Sequence, residues 1–231
     1  MRQIILDTET TGLNPATGDR IIEIGCIELL NRRQTGKTLH YYINPERDIA
    51  EGAFAVHGLS REFLSDKPLF AQIIDELTEF IKDAEVIIHN APFDLSFLNN
   101  EYALLKRPNF SEFASKVTDT LIDARRMFPG KRNSLDALCE RFAISNEHRT
   151  LHGALLDAQL LAEVYLAMTR GQDDLTIDLI DYSITGENGS KKVSIPTNLV
   201  YFKASELDCA EHERILEDIS KASKKTPIWG L

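Results

Sequence analysis

The stretch that most limits how this chain can fold is Ile4-Ile5-Leu6-Asp7-Thr8-Glu9. Its apolar start reads as a buried strand, and alternation puts Ile5, Asp7 and Glu9 on one face, with Ile4 and Leu6 on the other. Two carboxylates are then fixed side by side where a buried strand runs out into Thr10-Thr11-Gly12-Leu13. Acids so placed repel and desolvate badly unless something positive lies between them, and a divalent metal ion is the natural occupant. A solvated strand end with two unrelated acids satisfies the same stretch taken alone, so the rest of the chain has to decide.

Downstream, Arg20 to Leu30 and Lys37 to Ile43 read as a hairpin of two strands, with Asn31 to Gly36 as the polar turn between them. Gly36-Lys37-Thr38 looks like the end of a phosphate-binding loop. The glycine that such a loop needs five residues earlier is Asn31, and a strand follows instead of a helix. Short helical turns are expected from Glu51 to Leu64, around Val56-His57-Gly58, with Ser60 starting one and Glu62 in its first turn. Apolar residues at helical spacing predict a helix from Pro68 to about Lys82. Glu85 to Ile88 is a short buried strand, and Pro92 opens a helix to about Lys106. Further helices are expected at Thr120 to Met127, Ser134 to Phe142 and Gly153 to Met168. Hairpin first, then strands interleaved with helices, implies an α/β fold with a mixed sheet of about five strands.

Two more acids fall on helix stripes that read as buried. Asp94 shares a face with Phe97, Leu98 and Leu105, although its first-turn position also suits an acid that caps the helix. Asp157 shares a face with Leu161, Val164 and Met168, a turn beyond Gly153, so it needs a partner more urgently. In a continuous helix His152 and Asp157 would stand about 140° apart. A break at Gly153 would instead let His152 lean over the same site from a loop.

Asp7-x-Glu9, then Asn90-Ala91-Pro92-Phe93-Asp94-x-x-Phe97-Leu98, then His152-x4-Asp157 resembles the three motifs of the DEDD exonuclease superfamily, histidine-containing (DEDDh) subclass. The resemblance spans residues 1 to about 170. Asp7 to Leu13, Val56-His57-Gly58 and His152-Gly153-Ala154-x-x-Asp157-Ala158 resemble the proofreading, DnaQ-like branch found in bacterial replicative DNA polymerases. The resemblance implies a ribonuclease-H-like fold in which Asp7, Glu9, Asp94 and Asp157 hold two divalent cations, Mg²⁺ or Mn²⁺, about 4 Å apart. It implies His152 as general base, a role suited to a side chain that titrates near neutrality. The reaction would be 3′→5′ hydrolysis of the terminal phosphodiester at a single-stranded or mismatched DNA end, releasing 5′-mononucleotides. His57 matches a position that contacts the terminal nucleotide, and Phe93 and Leu13 are candidate walls for its base. Each can equally serve packing. The branch often carries a glutamate about five residues before that histidine, where this chain has Gly52 beside Glu51.

From Gly171 the character changes, which suggests an exonuclease domain at 1–170, a linker at 171–202 and a C-terminal segment at 203–231. The linker opens with Gln172-Asp173-Asp174-Leu175-Thr176-Ile177, which looks like a sliding-clamp peptide through Gln172, Leu175 and Ile177. Lys203 to Lys225 reads as an amphipathic helix, followed by the only tryptophan, Trp229. This flexible tail either docks on another protein, by resemblance the catalytic (alpha) subunit of a polymerase, or packs back on its own domain. A small accessory subunit is a further partner of such proteins.

The net charge of −10 argues against gripping nucleic acid by a broad basic surface, yet suits an enzyme that reaches phosphate through metal ions. Seven basic and eleven acidic residues from Gly171 onward give the tail −4, so it is no basic arm. Cys26, Cys139 and Cys209 are odd in number and without metal-ligand spacing, which fits a reducing cytoplasmic setting. No stretch has the length and apolarity of a membrane span or a signal peptide. Two rivals stand beside the proofreading subunit. One is a free-standing DEDDh nuclease that trims RNA or repair intermediates, and the other an inactive scaffold linking polymerase and clamp.

Overall fold

In the computed structural model the described residues are 1–146, 151–170 and 205–223. The chain divides into two units, Met1–Ile177 and Asp178–Leu231. The first is built on five strands: β1 (Arg2–Thr10), β2 (Ile21–Leu30), β3 (Arg33–Tyr42), β4 (Glu85–Ile88) and β5 (Lys116–Asp119). Their order across the sheet is β3-β2-β1-β4-β5. The hairpin strands pair antiparallel, while β1 with β4 and β4 with β5 pair parallel, so the sheet is mixed.

Between strands lie α1 (Glu51–His57), α2 (Arg61–Leu64), α3 (Phe70–Ile81) and α4 (Ala91–Leu104), and after β5 come α5 (Thr120–Met127), α6 (Leu135–Phe142) and α7 (Ala154–Met168). Alternation along β1 divides the core as the sequence implies. Ile4 and Leu6 pack with Ile73, Leu77, Phe97 and Leu98 of α3 and α4, while Ile5 packs with Ala158 and Leu161 of α7. A third cluster joins α5, α6 and α7 through Ala124, Leu138 and Val164.

Two details depart from the sequence reading. The hairpin turn is only Asn31-Arg32, both at positive φ (49° and 64°), as a two-residue turn that follows the strand twist requires. Strand β3 therefore starts at Arg33, and the polar residues that read as turn form a bulge at Thr35 to Lys37, with Gly36 at φ 83°. The fifth strand is β5, four residues with Val117 as their only large apolar side chain, too short and polar for periodicity to reveal.

In the second unit the described element is α8 (Glu206–Ser223). Leu207, Ile215 and Ile219 of its apolar stripe are exposed. The linker and the clamp-like residues Gln172, Leu175 and Ile177 lie outside the described residues. No helix among the described residues is long and apolar enough to cross a membrane. No disulfide joins the cysteines, of which Cys26 and Cys139 are buried and Cys209 is exposed.

Candidate active site

The acids of β1 sit at the end of the strand where β2 and α7 close over it. In register, Asp7 faces Gly25 and Glu9 faces Glu23. Gly25 has no side chain because none fits. A Cβ there would lie 2.4 Å from the backbone of Ala154 and Leu155. The bare strand lets the first turn of α7 descend onto β2, and that turn carries Asp157. Gly153 precedes it in extended conformation (φ −154°, ψ 129°), so the chain breaks before the helix and His152 stays outside it. His152 Nδ1 lies 3.2 Å from Asp157 Oδ2. Glu9, His152 and Asp157 each offer a ligand atom within 4.8 Å of the others.

Asp94 arrives from the other side of the sheet. Asn90 takes a left-handed conformation (φ 67°) that asparagine tolerates, and its N–H donates to Asp119 Oδ1 at 3.1 Å. Pro92 then starts α4, which presents Asp94 in its first turn. There Thr8 Oγ1 donates to Asp94 Oδ1 at 2.7 Å. Asp7, Glu9, Asp94, Asp157 and His152 line one cavity of about 330 Å³ with His89, Asn90, Ser134 and Asp136. Glu9, Asp94 and Asp157 are buried, while the His152 side chain is 43% exposed.

No lysine or arginine lines that cavity among the described residues. Elsewhere in the domain Arg20 holds buried Glu101 through two 2.7 Å bonds, Arg2 holds Glu28, and Lys116 reaches Glu85. Glu101 lies on the same buried stripe of α4 as Asp94, yet Asp94 has a hydroxyl and backbone N–H groups for company. Burial accordingly pushes the Asp94 carboxyl up to about 7, against the pull of Thr8. Carboxylates from three stretches gathered with two imidazoles, His89 and His152, on one cavity fit a hard divalent cation such as Mg²⁺ or Mn²⁺.

The raised value has a consequence for the metal-free protein. Asp94 binds its proton more tightly folded than unfolded, so its contribution falls as pH rises from about 4 through about 7. Asp94→Asn keeps an acceptor for Thr8 and removes the charge. In EDTA the variant should exceed the parent in stability at pH 8, by on the order of 2–4 kcal/mol, and match it near pH 4. Thermal melting at the two pH values measures this, and an equal gap at both would refute it.

A second cavity, about 640 Å³ and mostly apolar, adjoins the first and shares Thr8, Glu9 and Phe93 with it. Leu13, Val56 and His57 line it. Leu13 is 84% exposed, Phe93 packs against the core edge and His57 is buried. His57 Nδ1 accepts from the Leu59 N–H at 3.0 Å, which puts the ring proton on Nε2, a buried atom on the side of the Thr10 backbone. Burial holds the His57 pKa below its usual value. The sequence reading missed Thr8, which holds Asp94, and Gly25, which seats α7. The pattern Asp7-Thr8-Glu9 placed Thr8 on the Ile4/Leu6 face, but only cross-strand register reveals Gly25.

An acidic cavity at the end of a mixed sheet, closed by a histidine at a helix start, defines a class, and comparison with known proteins agrees. Residues 4–165 match the exonuclease family RNase_T, and the chain belongs to that family. Within it, the chain is 50% identical to the DNA polymerase III subunit epsilon of Salmonella typhimurium, covering 95% of this chain and 94% of the relative. Identity to the Escherichia coli subunit epsilon is 49% over the same shares, and to that of Rickettsia felis 48%, over 96% and 99%. The fold is similar to exonuclease X in complex with 5′ overhanging duplex DNA (TM-score 0.57, 24% identity, 74% of this chain and 92% of that one). It is also similar to the nuclease domain of 3′hExo, a DEDDh family member bound to rAMP (TM-score 0.63, 18% identity, 73% and 92%).

Proposed function

We propose that this protein is the proofreading 3′→5′ exonuclease subunit of a bacterial replicative DNA polymerase. Similarity to epsilon subunits over nearly the whole chain, reaching beyond the exonuclease domain into the tail, carries the reading. A free-standing RNA trimmer would have no need of that tail, and an inactive scaffold would have no need of the five polar side chains around the acidic cavity.

Asp7, Glu9, Asp94 and Asp157 would hold the divalent cations, with His152 at the open rim. Bound there, such cations supply Lewis acidity, lowering the pKa of a water and stabilising the departing 3′ oxygen. The terminal nucleoside fits the larger cavity, against Phe93, Leu13 and His57, which leaves its phosphate at the acidic one. His152 Nδ1 donates toward Asp157, which orients the ring and leaves Nε2 to take the proton of the attacking water. Partial exposure lets that proton pass on to solvent. The polymerase catalytic subunit would bind the tail, with α8 as part of the contact, and Gln172, Leu175 and Ile177 would meet the clamp.

A paired 3′ end must unstack before it reaches the cavity, at about 1.4 kcal/mol per base-pair step, whereas a mismatched end is already frayed. With Mn²⁺ the protein should release 5′-mononucleotides from a mismatched DNA primer severalfold faster than from a paired one. Release from RNA at a higher rate, or none from the mismatched end, would overturn the assignment.

A further inference from the structure

Residues 124–133 carry Arg125, Arg126, Lys131 and Arg132 and no acid, in a chain of net charge −10. All four side chains are exposed. Arg126 is engaged by Asp123 at 3.5 Å. Among the described residues no carboxylate lies within ion-pair distance of Arg125, Lys131 or Arg132, whereas Arg61, Lys82 and Arg107 each have one.

Arg125 and Arg126 lie in the last turn of α5, and the loop that follows it and presents Lys131 and Arg132 is held in place. Phe128-Pro129-Gly130-Lys131 is a tight turn closed by the Lys131 N–H on Phe128 O at 3.2 Å, with Gly130 at φ 72°. Buried Asn133 donates to Phe128 O and Lys131 O. Arg141 donates to Asn133 Oδ1 and to Arg132 O, its guanidinium 4.3 Å from the centre of the Phe128 ring. The loop leads straight into Ser134, Leu135 and Asp136, which line the acidic cavity. Arg125 is close enough to oppose protonation of His89 on the same cavity wall.

We propose that Arg125, Lys131 and Arg132 form a phosphate track for the single strand that leads into the acidic cavity. The inference rests on the exonuclease reading and names the part of the substrate held outside the terminal nucleotide. A cavity of carboxylates repels the polyanion that it must receive, and cations on α5 and on the loop that leads into its lining offset that repulsion and release counterions as phosphates arrive. The contacts are to backbone phosphate, so they serve any base sequence.

The test compares the full chain with R125Q/K131Q/R132Q, and with R125K/R132K. Binding of a fluorescent 20-nucleotide DNA single strand is followed by anisotropy in EDTA across a salt series. Hydrolysis with Mn²⁺ is followed on that strand and on a dinucleotide, which has no upstream phosphates. For the triple glutamine variant the slope of log affinity against log salt should flatten by about 2, since each contact contributes about 0.7. Its loss of kcat/KM should be at least tenfold greater on the strand than on the dinucleotide. R125K/R132K should keep the parent slope, because a point charge suffices for phosphate. An unchanged slope in the glutamine variant, as for a patch that meets an acidic protein instead, or equal losses on both substrates would overturn the track. If the parent hydrolyses neither the strand nor the dinucleotide, the exonuclease reading falls, while the binding series still decides the track.

Discussion

His152→Ala should slow hydrolysis by about 10²- to 10⁴-fold while Mn²⁺ affinity stays within about threefold of the parent. The two halves of that result separate two roles that the geometry leaves side by side. His152 offers a nitrogen within 4.8 Å of Glu9 and Asp157 oxygens, close enough for a ligand. Its 43% exposure, its place outside α7 and its contact with Asp157 through Nδ1 are instead those of a base that exchanges protons with water. Calorimetric titration with Mn²⁺ and single-turnover rates measure both quantities on the same variant. A fall in affinity as large as that of Asp157→Asn would make His152 a ligand, and an unchanged rate would remove it from the chemistry.

Gly25→Ala should reduce kcat by about a hundredfold without unfolding the protein. The added methyl would lie 2.4 Å from backbone atoms of Ala154 and Leu155, and backbone cannot swing aside as a side-chain tip can. Helix α7 must lift by about 1 Å, a displacement that typically costs catalysis about 10²-fold when it moves reacting groups. Overpacking of this kind destabilises by about 1–3 kcal/mol. Melting and steady-state kinetics together give the answer. A variant with a lowered melting temperature and full activity would show that the seat of α7 on β2 supports the fold alone and leaves Asp157 and His152 in place.

What could be read without coordinates follows from periodicity and capping. Alternation along Ile4 to Glu9 is a strictly local property, so the two faces of β1 and the pairing of Asp7 with Glu9 were legible. Helix starts were legible wherever a side chain marks them: Ser60 and Ser134 cap α2 and α6 through their hydroxyls, and Pro92 sits at the start of α4. Asp157 stood out as an acid on an apolar stripe, although the structure puts it in the first turn of α7, where an acid also suits the helix dipole. Glu101 shares the buried face of α4 with Asp94, but its partner Arg20 is 81 residues away, so only the fold separates the paired acid from the one poised for a cation. The turn at Asn31-Arg32 was hidden because arginine seldom takes positive φ. Strand β5 is defined by its pairing with β4 rather than by its own composition. Gly25 reads as an ordinary strand glycine until the register puts it opposite Asp7 and under α7.

The central claim is that acids from three distant stretches make one divalent-cation site. Titration of Mn²⁺ into the protein, followed by the loss of free-ion electron paramagnetic resonance signal, tests it most directly. Tight uptake that falls at least tenfold in each of Asp7→Asn, Glu9→Gln, Asp94→Asn and Asp157→Asn, all still folded, is the predicted result. Uptake that stays the same in any one of the four would contradict a single shared site.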